Sequence, residues 1–407
     1  MKLFERPKCF SEAIVLVTNF SCLLGLRIFE YPRGHPRPIL SLIYFLFVFG
    51  IYYGGSFNIE KKYYSNVRLM KLEYFLYKIM SYIVAASVIL KMLLGWWHTK
   101  KFKICYKKIF KIDETLRQLG LPVNYDRIYF GTIGMMTVWI TASFTLSTIA
   151  FIHLKIRTDI FTSVYIILLV TYSITVNFIN IYEFCMFVRC LQIKFKLINQ
   201  FLCENLINLS TNKIKLGIFE LKDYAKIMDV EQRKHIFSSM IQVHLELCKV
   251  SKIVCTILGV QVAWEIGSII TYLSGAFYYL LARYVMHQHE IIGVVEQTTL
   301  TLSLSLLHIF RAVFMSLICK NAADEGNKTI EIIHAIYGCD ADTDMQEEIQ
   351  QFGIQILQSP VTFSVFGLTL DHRVLTMILK SVTIYVVIMV QVSITLESDD
   401  SVQYRQF

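Results

Sequence analysis

The segment "SVTIYVVIMVQVS" (residues 381–393) has the composition of a membrane-spanning helix and one residue that such helices rarely carry. Valine, isoleucine and methionine fill most of it, yet Gln391 lies inside the apolar run, six residues after Tyr385. An amide in hydrocarbon costs free energy unless it meets water or a hydrogen-bond partner. We therefore expect Gln391 to face a water-filled space, a neighbouring helix or the wet outer end of the span.

The composition of the whole chain also favours lipid as its solvent. Of its 407 residues, 55% are hydrophobic and only 17% are charged, and the mean hydropathy is +0.50. Soluble domains are nearer one-quarter charged, and a soluble fold of this length cannot bury so much apolar surface. The predicted fold class is therefore an all-α integral membrane protein.

Seven apolar runs approach the length of about 20 residues that a spanning helix needs. An eighth run, residues 13–29, is interrupted by polar residues and is predicted to form an interfacial or re-entrant helix. The predicted spans are 39–56, 74–97, 129–154, 160–186, 253–281, 291–318 and 374–396. The chain then divides into an N-terminal segment (1–38), helices one to four (39–186), a helical extension (187–252), helices five and six (253–318), an anchor segment (319–373), helix seven (374–396) and a tail (397–407).

The basic residues are distributed unevenly between the two sides of this layout. Of the 40 Lys and Arg, 28 lie in the segments 1–38, 98–128, 187–252 and 319–373, against 8 on the opposite side. Because cytoplasmic loops are enriched in Lys and Arg, the N-terminus is predicted to be cytoplasmic and, with seven spans, the C-terminus extracellular. None of the ten cysteines falls in a predicted outer loop or the outer tail, which agrees with a chain that forms no disulfides.

The predicted cytoplasmic segments contain three apolar stripes at helical spacing. Two interpretations are open: helices that leave the membrane and pack together as a platform for subunit assembly, or amphipathic helices that lie on lipid. We favour packing, because the stripes would otherwise each need a separate patch of lipid. The stripes are Phe187, Leu191, Phe195, Ile198 and Leu202; Phe237, Ile241, Leu245 and Cys248; and Met345, Ile349, Phe352 and Ile356.

Two ionisable residues inside predicted spans, Glu265 and Arg311, are predicted to be structural partners, because such groups usually face the protein interior. The sequence shows no phosphate-binding loop, nucleophile elbow or zinc-ligand spacing, so no enzyme activity, metal or cofactor is predicted. The Lys- and aromatic-rich segment 98–111 has the composition of a nucleic-acid binder. On a predicted inner loop it follows the positive-inside bias instead, with anionic lipid as its neighbour.

Two classes of multi-span protein fit the pattern poorly. G-protein-coupled receptors place the N-terminus outside and carry prolines in late spans, whereas all six prolines here lie outside the predicted spans. Secondary transporters more often show paired Gly- or Pro-broken helices within an internal repeat, and no such repeat is found.

The last predicted span carries two of the four fixed residues of a known family signature: Thr-Tyr, five hydrophobic residues, then Gln-Phe. Tyr385 and Gln391 match it, Thr383 stands next to the Thr position at Ile384, and Val392 replaces the Phe. The chain therefore resembles the insect gustatory receptors, which are related to the insect odorant receptors. The segments "QQFGIQILQSPVTFSVFGLTLDHRVLTMILKSVTIY", "CLQIKFKLINQFL" and "LLGLRIF" also resemble this family, so that the resemblance covers nearly the whole chain.

The resemblance implies a ligand-gated, non-selective cation channel in which four subunits, identical or related, surround one pore lined by the seventh helix. A ring of Gln391 side chains would meet water or its symmetry mates, and an apolar ring at Ile388 and Val392 is expected to gate by dewetting. The alternative is a metabotropic seven-helix receptor that signals through a partner protein. The residues implied to line the pore are Ile384, Ile388, Gln391, Val392 and Thr395.

The resemblance also implies a small-molecule tastant held between the outer halves of the helices, in a receptor of the plasma membrane of sensory neurons. Sugar-sensing members tend to have Glu directly after the signature Tyr, and Val386 stands there, which favours a bitter or aversive compound. The aromatic candidates for this pocket equally fit a belt at the membrane interface. The pocket candidates are Tyr77, Tyr82, Tyr165, Tyr172, Glu296, Gln297 and Thr298.

Overall fold

The computed structural model describes residues 6–28, 37–64, 71–155, 159–203, 230–284, 294–337 and 343–403. Within these ranges the chain is almost entirely helical, which confirms the predicted all-α class. Its elements are α1 (Phe10–Ala13), α2 (Val15–Leu23), α3 (Pro38–Tyr64), α4 (Lys71–Trp97), α5 (Thr99–Gln118), α6 (Asp126–Lys155), α7 (Ile160–Leu202), α8 (Val230–Tyr284), α9 (Val294–Tyr337), α10 (Thr343–Gln358), β1 (Ser364–Val365), β2 (Leu368–Thr369) and α11 (His372–Gln403).

Six helices of the described part, α4, α6, α7, α8, α9 and α11, are long and apolar enough to cross a membrane. In α3 the described apolar stretch is the shorter Pro38–Ile51, so the seven-span count stays a prediction. Only 11% of the most apolar, membrane-length stretch of α6 is buried within the chain, whereas 56% of the corresponding stretch of α8 is buried. Helix α8 is therefore the central helix of the described chain, and α6 lies at its periphery.

Helices α7, α8 and α9 continue well beyond the predicted spans, with 43, 55 and 44 residues. At 1.5 Å per residue each is longer than about 60 Å, roughly twice the thickness of a bilayer's hydrocarbon core. These helices therefore extend out of any membrane they cross, as the apolar stripes after span four and before span five predicted.

The extended helix ends pack against one another. All five stripe residues of α7 are buried, and so are Ile349, Phe352 and Ile356 of α10. The His244 ring lies 5.1 Å from the ring of Phe195 and 5.4 Å from that of Phe352, and so joins α7, α8 and α10. The predicted packing of the α7 and α10 stripes on protein is thus confirmed for the described residues. The side chain of Met345 lies outside the described part of the chain.

The buried stripe of α8 differs from the predicted one. Phe237 is buried as predicted, but Ile241, Leu245 and Cys248 are only half-buried. The buried positions beyond Phe237 are Met240, Val243, His244 and Leu247. The helix is apolar on adjacent faces here, and the neighbouring helices, rather than the spacing alone, select the face that is covered.

An ion pair and two hydrogen bonds connect α5, the segment after it and α7. Lys194 forms an ion pair with Asp113, and its Nζ donates to the Tyr125 hydroxyl at 2.7 Å. The Tyr125 hydroxyl donates in turn to Asp113 Oδ2 at 2.6 Å. Burial raises the pKa of Tyr125, so the hydroxyl keeps the proton that this hydrogen bond requires.

The N-terminal run predicted to be interfacial or re-entrant packs among α4, α5 and α7. The carbonyl of Leu24 accepts a hydrogen bond from the Tyr172 hydroxyl at 2.8 Å. Arg27 pairs with buried Glu183 of α7, and its guanidinium lies 4.3 Å from the Phe102 ring centroid. The backbone of Leu26 passes directly over Gly95, where any side chain would meet its carbonyl oxygen.

We expect Gly95→Ala to lower stability by about 1–3 kcal/mol, because the added methyl group must displace a backbone carbonyl rather than a flexible side chain. The measurement is the thermal unfolding midpoint of the purified receptor in detergent. Gly134→Ala on α6 is the matched control, since a methyl group there meets open space and alanine favours the helix. Equal midpoints for the two variants would contradict the close approach of Leu26 to α4.

Candidate functional site

Helix α11 has one buried face and one face turned away from the chain. Val374, Ile378, Val382 and Ser393 are buried, and α11 packs mainly against α8. At 100° per residue, Gln391 projects about 180° around the helix from Val382. It is exposed, so the face that carries it is not covered by the chain's own core.

The predicted pore-lining residues cluster on this uncovered face. Ile384 is 58% exposed and Ile388 is 46% exposed, and Thr395 is exposed as well. All three project within about 60° of Gln391 around the helix. Val392, also exposed, lies at the flank of this stripe rather than at its centre.

The hydroxyl groups of Thr395 and Thr383 bond to the backbone of α11 itself. The Thr395 hydroxyl donates to the backbone carbonyl of Gln391 at 3.0 Å, and signature residue Thr383 donates to that of Leu379 at 2.9 Å. Among the described residues, no hydrogen bond joins the Gln391 amide to another helix, which disfavours the neighbouring-helix interpretation within one subunit. Signature residue Tyr385 is likewise exposed.

The start of α11 is held by a hairpin and by α9. Asp371 Oδ1 accepts from the backbone N–H of Arg373 at 2.8 Å and caps the helix. Lys320 of α9 donates to His372 Nε2 at 3.0 Å. Asn327 of α9 also donates to the carbonyl of Val361 at 3.0 Å and accepts from its N–H at 2.7 Å. Helix α9 is therefore joined by hydrogen bonds to the first residue of α11 and to the segment that precedes it.

A buried ionic cluster joins three of the spanning helices. Glu265 of α8 forms an ion pair with Arg311 of α9 at 2.9 Å through Oε1, which confirms the predicted partnership. Its Oε2 lies 2.5 Å from Nζ of Lys91 of α4. All three side chains are almost fully buried, so one carboxylate is shared by two cations inside the bundle.

Neutral polar groups complete the cluster. Asn177 of α7 accepts hydrogen bonds from Lys91 and, at 3.1 Å, from Ser87. Arg311 Nη2 donates to His308 Nδ1 at 2.6 Å. The sequence prediction missed Lys91 and Asn177. The signal was present for Lys91, which interrupts the apolar run "SVILKMLLGWW" (residues 87–97), as Arg311 interrupts its own span.

The described candidates for the ligand pocket, Tyr82, Tyr165, Tyr172 and Thr298, lie apart from one another in their contacts. The Tyr165 hydroxyl donates to the carbonyl of Ile51, Tyr172 donates to Leu24, and Tyr82 is 61% exposed. Thr298 accepts a hydrogen bond from Tyr284 at 3.2 Å. Among the described residues, no hydrogen bond or ring contact joins two of the candidates. The side chains of Tyr77, Glu296 and Gln297 lie outside the described part, so this pocket stays a prediction.

Two of the cavities in the described part of the chain bear on the predicted pocket. The smaller, of about 240 Å³, lies between α6 and α7. The larger, of about 640 Å³, lies between α8, α10 and the hairpin and contains none of the predicted pocket residues. The smaller cavity, with mainly apolar walls, is lined by Ser147, Thr148, Phe151, Val164, Ile167 and Leu168.

The described residues offer no site for a metal ion, since no three His, Cys, Asp or Glu side chains are grouped there. Cys105, Cys185, Cys190 and Cys319 in this part are buried free thiols. Burial raises the pKa of the Cys105 thiol on α5 to about 12, which keeps it protonated and unreactive.

A helical protein with several apolar helices of spanning length, a buried ionic cluster and an uncovered stripe on its last helix is a multi-pass membrane protein. The chain belongs to the 7tm chemosensory receptor family, whose model matches residues 17–396. This match confirms the predicted resemblance to the insect gustatory receptors at the level of the chemosensory receptor family.

The chain is also similar in fold to the insect olfactory receptor OR5 from Machilis hrabei. The structure of that receptor in complex with eugenol matches 94% of this chain and 99% of its own, with a TM-score of 0.54 and 11% identity. The structure of OR5 alone matches 93% and 97%, with a TM-score of 0.56 and 11% identity. At 11% sequence identity, this structural similarity shows that the two proteins share a fold. A comparison with curated protein sequences finds no match.

We expect Glu265→Gln to destabilise the receptor by about 3–5 kcal/mol, because it leaves Lys91 and Arg311 buried together without a counter-charge. Lys91→Met should cost clearly less, since Glu265 keeps its pairing with Arg311. The two variants are compared by thermal midpoint and by the yield of monodisperse protein. A Lys91→Met effect as large as that of Glu265→Gln would contradict the shared-carboxylate arrangement.

Proposed function

We propose that this chain is a subunit of a ligand-gated, non-selective cation channel for chemoreception, and that α11 lines its pore. The observation that carries the proposal is the uncovered stripe of Ile384, Ile388, Gln391 and Thr395, which lies opposite the face of α11 that packs on the chain. A helix that lines an axial pore packs on its own subunit with one face and turns the other to water and its symmetry mates.

The composition of the stripe suits a gated water-filled pathway. Gln391 and Thr395 supply polar groups to a hydrated section, and four copies of Gln391 around one axis satisfy each other or bind water. Ile388 and, at its flank, Val392 supply an apolar ring. Such a ring closes a narrow pore by dewetting and opens when a small displacement of the helices widens it.

A route from ligand to pore is available within one subunit. A small molecule bound between the outer halves of the helices would shift α4, α6 or α7. The ionic cluster connects α4 to α8 and α9 through Glu265. Helix α8 packs along α11, and α9 holds the start of α11 through Asn327 and Lys320.

Within this function we propose a gustatory receptor with a cytoplasmic N-terminus and an extracellular C-terminus, in the plasma membrane of sensory neurons. The ligand is a tastant, and Val386 after the signature tyrosine favours a bitter or aversive compound over a sugar. The active assembly is a homotetramer or a heterotetramer with related subunits. Signalling through a metabotropic partner is the competing outcome of the experiment below.

Ile388→Ser should raise the ligand-independent current several-fold, because it hydrates the proposed apolar gate. Leu379→Ser is the matched control: it makes a comparable change at an exposed leucine of α11 that projects about 180° away from Ile388 and about 120° away from Gln391. Currents are recorded from excised patches of cells expressing the chain, without nucleotide and with G-protein signalling blocked. Equal currents from the two variants at equal surface expression would place Ile388 off the pore, and a current that needs G-protein signalling would favour the metabotropic receptor.

The orientation is tested with an epitope tag at either end of the chain on intact cells. The excess of Lys and Arg on one side predicts that only the C-terminal tag is stained without permeabilisation, and that both are stained after it. Surface staining of the N-terminal tag would reverse the proposed topology.

A further inference from the structure

We propose that Lys380 of α11 faces the water of the pore and, in four copies, forms a ring of positive charge that limits the passage of divalent cations. This role rests on the function proposed above, in which α11 lines an axial pore. The ring lies on the side of Ile388 that is nearer the start of α11. It concerns which cations pass, whereas the stripe described above concerns hydration and gating.

Lys380 continues the uncovered stripe of α11 toward the start of the helix. At 100° per residue it projects about 20° from Gln391 and about 160° from buried Val382. Arg373 projects in the same direction as Gln391, about five turns earlier. Both basic side chains are exposed. One face of α11 therefore carries two basic residues, then two isoleucines, then Gln391 and Thr395.

The depth of Lys380 along α11 indicates that water rather than lipid surrounds its ammonium group. The membrane-length apolar part of the described helix is His372–Thr395, and Lys380 lies about 12 Å into it. An ammonium group at such a depth is costly in hydrocarbon and usually faces the interior of an assembly or a water-filled cavity. The Gln391 amide lies on the same face of the helix, so one water-filled space serves both groups.

The charge of Lys380 is not neutralised within the described part of the chain. No ion pair with Lys380 is found there, whereas Arg373 lies 3.8 Å from the carboxylate of Asp371. No acidic residue follows Asp371 within the apolar part of α11. Helix α11 packs mainly on α8, and the acids of α8 whose side chains are described, Glu246 and Glu265, are paired with other cations.

Four copies of Lys380 around one axis repel a divalent cation twice as strongly as a monovalent one. If the ring lowers the local concentration of a monovalent cation by some factor, it lowers that of a divalent cation by the square of this factor. Four unit charges within one Debye length of the axis, about 8 Å, give a difference on the order of fivefold. Lys380 lies about 12 Å from Ile388 along the helix, so the ring changes the supply of ions to the gate without being part of it.

The ratio of calcium to sodium permeability of the full-length receptor tests the ring. It is taken from reversal potentials in excised patches, on the ligand-independent current of the Ile388→Ser receptor. Adding Lys380→Gln should raise the ratio on the order of fivefold, and adding Lys380→Arg should leave it unchanged. Lys196→Gln, at an exposed lysine of α7, is the matched control and should also leave it unchanged. An unchanged ratio with Lys380→Gln would overturn the proposal.

A second measurement keeps the native Lys380 and therefore holds even if its variants fail to assemble. An impermeant salt added on the side of the ring screens the ring's charge. The calcium to sodium ratio of the Ile388→Ser receptor should then rise by several-fold. A ratio that does not change with ionic strength would count against a charged ring in the pathway.

The position of Lys380 can be tested without any current. In receptor reconstituted in nanodiscs, Lys380→Cys should react with an anionic, membrane-impermeant thiol reagent. Leu379→Cys, at the exposed neighbouring position that projects about 100° away, should not react. The modified peptide is identified by mass spectrometry, which separates it from the native cysteines. Failure of Lys380→Cys to react would show that the side chain faces lipid, and the proposal would be wrong.

Failure of the ring and failure of the proposed function give different results. A missing current, or a reversal potential that follows chloride, would contradict the cation channel, while reaction of Lys380→Cys would still support a lysine that faces water. A cation current with an unchanged calcium ratio would contradict the ring alone. Assembly that is lost with Lys380→Gln and kept with Lys380→Arg would make Lys380 an ion-pair partner of a neighbouring subunit, which would also overturn the ring.

Discussion

The Glu265 carboxylate, held between Lys91 and Arg311, is the interaction on which the arrangement of the spanning helices depends. A charge in this apolar interior is tolerated only when its partners are in place, so α4, α8 and α9 can meet in one register but not in registers shifted by a residue. Apolar packing alone would not discriminate so sharply, since neighbouring faces of these helices are equally hydrophobic. The buried stripe of α8, displaced from the predicted Ile241 and Leu245, shows how little the apolar pattern alone specifies.

Helix α8 lies at the centre of the chain and contacts both the ionic cluster and the other parts of the fold. Its middle carries Glu265, its extension carries His244 between Phe195 and Phe352, and its surface receives α11. The same helix therefore links the interior of the bundle, the packed helix ends and the candidate pore helix. Asn327 adds a second link, because it pairs with the backbone of Val361 as a neighbouring strand would and fixes the chain that leads into α11.

Local patterns in the sequence predicted the helices, and they predicted partners only where an ionisable residue stood out. The apolar runs gave the position of each span, and Glu265 and Arg311 could be paired because charges inside spans seek each other. The third member, Lys91, lies 174 residues from Glu265, and no local spacing connects them. The same holds for Arg27 with Glu183, and for Tyr172, whose partner is a backbone carbonyl and leaves no mark in the sequence.

Polar residues within the apolar helices fall into two groups, according to whether the described structure shows a partner for their side chains on another helix. Lys91, Asn177, Glu265 and Arg311 find their partners inside the subunit and are buried. Gln391 is exposed on a helix of spanning length and bonds to no other helix among the described residues, so its amide requires water or another chain in the membrane. The chain thus satisfies the charges of its ionic cluster internally, whereas the Gln391 amide projects away from the core of the chain. This exposed amide is the physical reason for proposing that α11 lines a water-filled pore.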